Sequence, residues 1–310
     1  MAQTIEKVWL YSDAAASMDA ATGVALAISK SSGVHLTLLT AIETPRDPFV
    51  QTPLGQEMMG LVREDRQQRL ATLEQQAQRE LPQGRVASVL MEGEVAWHTL
   101  TSHAIKHHPD LVIVPADGGA SASPFGTLSQ HLFRKCPAPV WSVQSSASRF
   151  PKRALVAVDP GAEGSDDRLL SQEVLRFSIG LAAHLGMELH LAHAWSLQDE
   201  GLIASKYGPG GLQPYFDLQL QFAKEATDQL LQQTGGKERI TAVHYPKGDP
   251  GKAIPALAEE IEADVVILGS AARRGLQGFF IGSVAETILS RLKSSALVVK
   301  RPGFISPVSS

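Results

Sequence analysis

Arg153-Ala-Leu-Val-Ala-Val-Asp159 follows the plan of Lys7-Val-Trp-Leu-Tyr-Ser-Asp13, 146 residues earlier: a charged residue, an apolar run of strand length, then an aspartate. The correspondence continues outward from that pair. Gly33-Val-His-Leu-Thr-Leu-Leu39 matches Gly186-Met-Glu-Leu-His-Leu-Ala192, Arg85-Val-Ala-Ser-Val89 matches Arg239-Ile-Thr-Ala-Val243, and Pro109-Asp-Leu-Val-Ile-Val114 matches Ala263-Asp-Val-Val-Ile-Leu268, at offsets of 153, 154 and 154. Ala138-Pro-Val-Trp-Ser-Val143 and Ser295-Ala-Leu-Val-Val-Lys300 close the two series at 157. So small a drift means one duplicated unit with insertions confined to loops. Segments of helical spacing lie between the strands, such as Leu169, Leu170, Val174, Leu175, Ile179 and Leu181. Short apolar strands alternating with helices predict parallel sheets covered on both faces, hence an α/β chain of two tandem Rossmann-like domains. Residues 1–144 form the first, 145–152 a serine-containing linker, 153–301 the second, and 302–310 a frayed tail.

A chain of 310 residues, 44% of them hydrophobic, is long enough for two such cores. Glu6 and Lys7 interrupt the apolar start, and no run of residues is long enough to span a bilayer, so a cytoplasmic protein without a membrane span is expected. A net charge of -4 with interspersed signs offers no broad positive field and argues against nucleic acid as a partner. The single cysteine, Cys136, excludes an internal disulfide and fits a reducing compartment.

In open α/β sheets ligands bind beyond the carboxyl ends of the strands, which directs attention to the strand ends. After the fourth strand of the second unit comes Gly269-Ser-Ala-Ala-Arg-Arg-Gly-Leu-Gln-Gly-Phe-Phe-Ile-Gly282-Ser283-Val-Ala-Glu286. Its glycines allow a tight loop, Arg273 and Arg274 bring positive charge, and Gly282-Ser283 opens a helix whose free N–H groups favour an anion. A purely structural reading stands beside this one. Ser283 and Glu286, like Thr127 and Gln130 in the first unit, have the spacing of a capping box, and Asp249-Pro250 reads as an N-cap with proline at the first helical position.

These residues resemble the universal stress protein family, which carries G-x2-G-x9-G-[ST] after its fourth strand, an aspartate at the end of its first and Gly-x-Pro after its third. The second unit is similar at Asp159, Gly248-Asp249-Pro250, Gly269, Gly282 and Ser283, with Ala272 in place of the second glycine. The duplication and the run Arg134-Lys-Cys-Pro-Ala-Pro-Val-Trp141 resemble the tandem, E-type members in particular. The resemblance implies a five-stranded parallel sheet of order 3-2-1-4-5 in each unit, pairing of the two units through their last strands, and an adenine-nucleotide site. Carried over, that site comprises Asp159, Ala194, Gly269, Ala272, Arg273, Gly275, Gly282 and Ser283, with ATP as ligand, with or without Mg2+. In the first unit Pro115 replaces the first glycine and the loop is two residues shorter, so Asp13, Gly118, Gly126 and Thr127 are expected to form a degenerate, weak or empty site.

Other constellations carry less. His103 and His107, four apart on a helix, lack a carboxylate or cysteine partner and read as solvated, so no metal site is expected. Cys136 has no activating base and reads as a core thiol. No group is placed to activate water on a phosphate, so no catalytic residue is nominated and turnover is left open. The resemblance therefore implies a stress-response protein that binds ATP or a related adenine nucleotide in its second domain. A nucleotide-independent interaction protein or carrier of an apolar ligand is the alternative, and a slow nucleotide hydrolase the third. The alternative draws on apolar insertions after each second strand, Pro48–Met59 and Leu202–Phe216, whose competing reading is a lid over the core. Association of two chains into a homodimer is left open.

Overall fold

The computed structural model describes residues 4–12, 19–31, 33–44, 46–116, 124–148, 150–162, 164–197, 199–270 and 281–308. The first unit runs β1 (Lys7–Tyr11), α1 (Ala20–Ser29), β2 (His35–Glu43), α2 (Pro53–Glu80), β3 (Val86–Gly93), α3 (Ala96–His107), β4 (Leu111–Pro115), α4 (Gly126–Lys135) and β5 (Val140–Val143). The second runs β6 (Arg153–Ala157), α5 (Ser165–Leu185), β7 (Glu188–Ala192), α6 (Glu200–Tyr207), α7 (Gln213–Thr234), β8 (Ala242–His244), α8 (Pro250–Glu260), β9 (Val265–Ser270), α9 (Ser283–Arg291) and β10 (Ser295–Lys300).

The strands form one sheet of ten, ordered β3-β2-β1-β4-β5-β10-β9-β6-β7-β8. Pairing is parallel within each unit and antiparallel only between β5 and β10, where Trp141 opposes Leu297. Buried apolar side chains on alternate positions build one core on each face, and both cores cross from one unit to the other. Leu10, Ile113, Trp141, Val156, Ile267 and Leu297 share the first with α1, α2, α5 and α7. Val112, Val140, Leu155, Val266 and Val298 share the second with α3, α4, α8 and α9. The apolar runs that named the strands are thus continuous because neither face of a central parallel strand meets water.

One aspartate in each unit fastens the first strand to the fourth. A carboxylate oxygen of Asp110 accepts from the N–H groups of Glu6 and Lys7 at 2.9 and 2.8 Å, and Asp264 does the same for Lys152 and Arg153 at 2.7 and 2.9 Å. Both aspartates stand at the head of β4 or β9, which explains why the pair was preserved through the duplication.

Three expectations need correction. The capping boxes are not made: α9 has Gly282 as N-cap and Ser283 inside its first turn with no side-chain cap, and α4 likewise starts from Phe125. Backbone geometry moves each helix start one or two residues upstream of the expected hydroxyl, and Glu286 turns instead to Arg134 at 3.2 Å. Second, residues 302–308 are not frayed. Ser306 Oγ donates to the Lys135 carbonyl, Val308 is buried, and the Phe304 ring lies 5.4 Å from Lys300 Nζ, so this segment lies across the end of α4. Third, the apolar side chains Phe49, Leu54, Met58, Leu202 and Tyr207 of the insertions do not themselves cover the core, since they are exposed, whereas Leu212 is buried.

Candidate functional site

Strand order reverses between β6 and β9: the chain leaves β6 through α5 on one face and leaves β9 through α9 on the other. The carboxyl ends of these neighbours therefore splay their connections apart and leave a crevice. It forms a cavity of about 700 Å³ with Asp159, Leu170, Ala194, Gly269, Gly282 and Ser283 in its wall. Five of the positions read from the sequence thus meet in one place. Ala272, Arg273 and Gly275, together with Asp13 and Gly118 of the first unit, lie outside the described residues.

The two loop glycines have different local causes. A Cβ on Gly269 would come within 2.7 Å of the Leu170 side chain, so glycine here admits the close approach of α5. Gly282 has φ +114° and open space around it, so its backbone conformation is the constraint. From that turn the first residues of α9 line the cavity, and with no side chain capping their N–H groups among the described residues they suit an anion. Ser283 is exposed at the rim. Its carbonyl accepts from Thr287 Oγ1 at 2.8 Å, an ordinary intrahelical contact, and its hydroxyl has no hydrogen-bond partner among the described residues.

Asp159 leaves β6 with its carbonyl accepting from Ser171 Oγ at 3.0 Å, while its carboxylate is largely in solvent. Asp167 and Glu286 also line the cavity. Against these carboxylates stand the partial positive charge of the α9 N-terminus and Arg134, which reaches across from the first unit to Glu286. Among the wall residues that the sequence reading did not nominate is His193; the nearby His190 instead stacks on His244, with Nδ1 and Nε2 2.9 Å apart. His193 is 9% exposed, lines the cavity, and directs Nδ1 at the Val158 carbonyl, 3.3 Å away. Its place just before Ala194 at the end of a central strand was the signal available in the sequence.

The remaining candidates are structural in this setting. Cys136 is buried, and burial pushes its thiol up to about 11, far from a reactive thiolate at neutral pH. His103 and His107 pack beside Trp9, with ring centroids 6.5 and 6.2 Å from it. No helix among the described residues is long and apolar enough to cross a membrane. In the first unit Gly126 keeps a positive φ of 60° and Thr127 stays at the start of α4, but Pro115 occupies the end of β4.

A doubly wound sheet duplicated in one chain, with a crevice at the switch point of the second copy, defines a tandem α/β protein of the Rossmann-like class. Comparison with known proteins makes the assignment specific: the universal stress protein family model matches residues 6–144 and again 151–300. The chain is 31% identical over 251 residues to universal stress protein E of Escherichia coli strain K12, covering 78% of this chain and 77% of that one. It is 29% identical over 220 residues to a universal stress protein E homolog of Haemophilus influenzae, covering 68% and 70%. A crystal structure of a universal stress protein from Archaeoglobus fulgidus shares the fold with a TM-score of 0.65 at 18% identity, over 96% of this chain and 97% of that one. The chain belongs to the universal stress protein family, as a tandem member.

Proposed function

We propose that the second domain binds ATP or a closely related adenine nucleotide in the β6/β9 crevice, and that the protein acts through occupancy of that site, not through turnover. The observation that carries this reading is the convergence of Asp159, Ala194, Gly269, Gly282 and Ser283 on one cavity of nucleotide size, with an uncapped helix N-terminus in its wall. The carboxylates of Asp159, Asp167 and Glu286 make a nucleotide delivered with Mg2+ a better fit than a bare polyphosphate, with Arg273 and Arg274 as further counter-charges. Domain limits of 1–144 and 153–301, joined by 145–152, belong to the same reading.

Calorimetry on dialysed protein with millimolar ATP, with and without Mg2+, tests it. Substituting Gly282 would also strain the backbone at its positive φ, so Ser283→Asp is the cleaner probe. An aspartate in the first turn suits the α9 dipole and keeps the fold, while its charge repels phosphate. At least about a tenfold loss of affinity is expected from Ser283→Asp and none from the matching Thr127→Asp. Absence of ATP binding at millimolar concentration would remove the proposal.

A second reading draws on a different observation. Much of the cavity wall is apolar, with Val158, Leu170, Val174, Ile254, Ile281 and Ile288, and Leu54, Leu61, Leu202 and Phe222 are exposed on the insertion helices. A carrier of an apolar ligand or an interaction protein would use these surfaces. Native mass spectrometry of the protein as purified separates the readings: a retained nucleotide favours the first, a retained acyl compound the second.

A further inference from the structure

We infer that His193 is a specificity-determining residue of the second-domain cavity: through an unprotonated Nε2 it accepts a hydrogen bond from a donor on the nucleoside part of the ligand. The inference rests on the nucleotide reading above and goes beyond it by saying which ligands are refused.

The tautomer follows from the neighbours of Nδ1. The Val158 carbonyl lies 3.3 Å from it and Asp159 Oδ1 3.9 Å from it. Both are acceptors only, the first because it is a carbonyl and the second because it is a carboxylate, so Nδ1 must carry the proton. A neutral imidazole protonated at Nδ1 has a lone pair and no hydrogen at Nε2. The ring is 9% exposed and forms part of the cavity wall, and Nε2, which has no partner among the described residues, is the nitrogen left for a ligand. A buried acceptor of this kind favours an amino or hydroxyl group and penalises a carbonyl oxygen in its place, because two acceptors face to face leave both unsatisfied.

The ring is also held still. Its backbone N–H donates to the His244 carbonyl at 3.0 Å, continuing the β7–β8 ladder past the last strand residue, and Trp195 two positions on pairs with Lys247 in the same sense. In the first domain the residue at the equivalent place is Thr40, 3% exposed. A hydroxyl both donates and accepts, so Thr40 imposes no such polarity.

Two chemistries present the required donor: the 6-amino group of adenine and the ribose hydroxyls. Inosine triphosphate replaces the first by a carbonyl, and 2′,3′-dideoxyATP removes the second. In calorimetric competition the wild-type protein should bind ATP at least about tenfold more tightly than one of these analogues, and which one identifies the donor. In His193→Phe that preference should collapse, ATP falling to the level of the analogue, while His193→Gln, whose amide oxygen reaches the place of Nε2, restores part of it. Long-range 15N–1H spectra of the wild-type protein supply a readout independent of folding in the variants, with the proton expected on Nδ1 and the Nε2 resonance moving on addition of ATP. Equal binding of ATP and both analogues, retention of the preference in His193→Phe, or a proton found on Nε2 each overturns the inference while leaving nucleotide binding intact. If no nucleotide binds, the inference falls together with the reading beneath it.

Discussion

The two domains differ most where their frames are most alike, at the carboxyl ends of their strands. Gly269 stands in β9 where Pro115 ends β4, His193 follows β7 where Thr40 lies in β2, and Arg301 follows β10 where Gln144 follows β5. In the first domain Gln144 Nε2 donates to the Pro124 carbonyl just before α4. In the second, Arg301 turns away to Asp166 in the first turn of α5, at 2.7 Å. Duplication has kept what holds strands together and altered what faces the ligand region. The frame and the crevice are therefore separable, and changes to one should leave the other readable.

The largest effect should come from what the halves share. Trp141 is 1% exposed on β5, opposite Leu297 of β10, in a core that runs through both domains. Trp141→Ala removes a large buried ring from that seam and should cost about 3–5 kcal/mol. Because the core is common, calorimetric melting should move as one transition. Two separated transitions would show that the domains fold independently and that the comparison concerns two proteins joined by a chain.

A smaller effect separates the halves. Lys300 ends β10 where Val143 ends β5, and its ammonium is buried at the end of α4, donating to the Phe133 carbonyl. Burial pulls its pKa down to about 7, against a partial raising influence of Cys136 and a further lowering by Arg134. Between about pH 7 and the ordinary lysine range the unfolded chain holds this proton and the folded chain does not, so stability rises with pH through that window. Below about pH 7 both states are charged and the cost of burial is present in full. Lys300→Met should flatten the rise in chemical-denaturation midpoints from pH 7 to 10, whereas Val143→Ala should shift the midpoints equally at every pH. An unchanged slope in Lys300→Met would show that the amine is hydrated.

Much of this was legible in the sequence, for stated reasons. Strands such as Val265–Leu268 and Ala296–Val299 read directly as apolar runs because burial on both faces leaves no room for a polar residue. Asp159 and Gly269 were placed together because neighbouring strands end together. The start of α9 was misread, since a serine three residues before a glutamate has capping spacing whether or not the backbone turns at Gly282. The course of 302–308 and the burial of Lys300 depend on contacts distant in the chain, with Ser306 bonding to the Lys135 carbonyl at the end of the other domain's α4 and the Phe304 ring beside Lys300, and local composition carries no trace of that. His193 escaped notice because strand alternation says which face a side chain takes but not what lies beyond the strand end.

The smallest effect tests whether the frames are in fact equal. Asp110 and Asp264 each accept two backbone N–H groups, tying the start of the first strand to the head of the fourth. Alanine at either position should cost about 1–3 kcal/mol, since a charged acceptor is lost from two donors that water then solvates in part. The two costs should agree within about 1 kcal/mol, and neither change should alter ATP affinity, because both aspartates lie at the amino ends of their sheets, away from the crevice. A larger loss from Asp264→Ala accompanied by weaker ATP binding would mean that the second domain's frame and crevice are coupled after all, and the division between conserved frame and altered site would have to be given up.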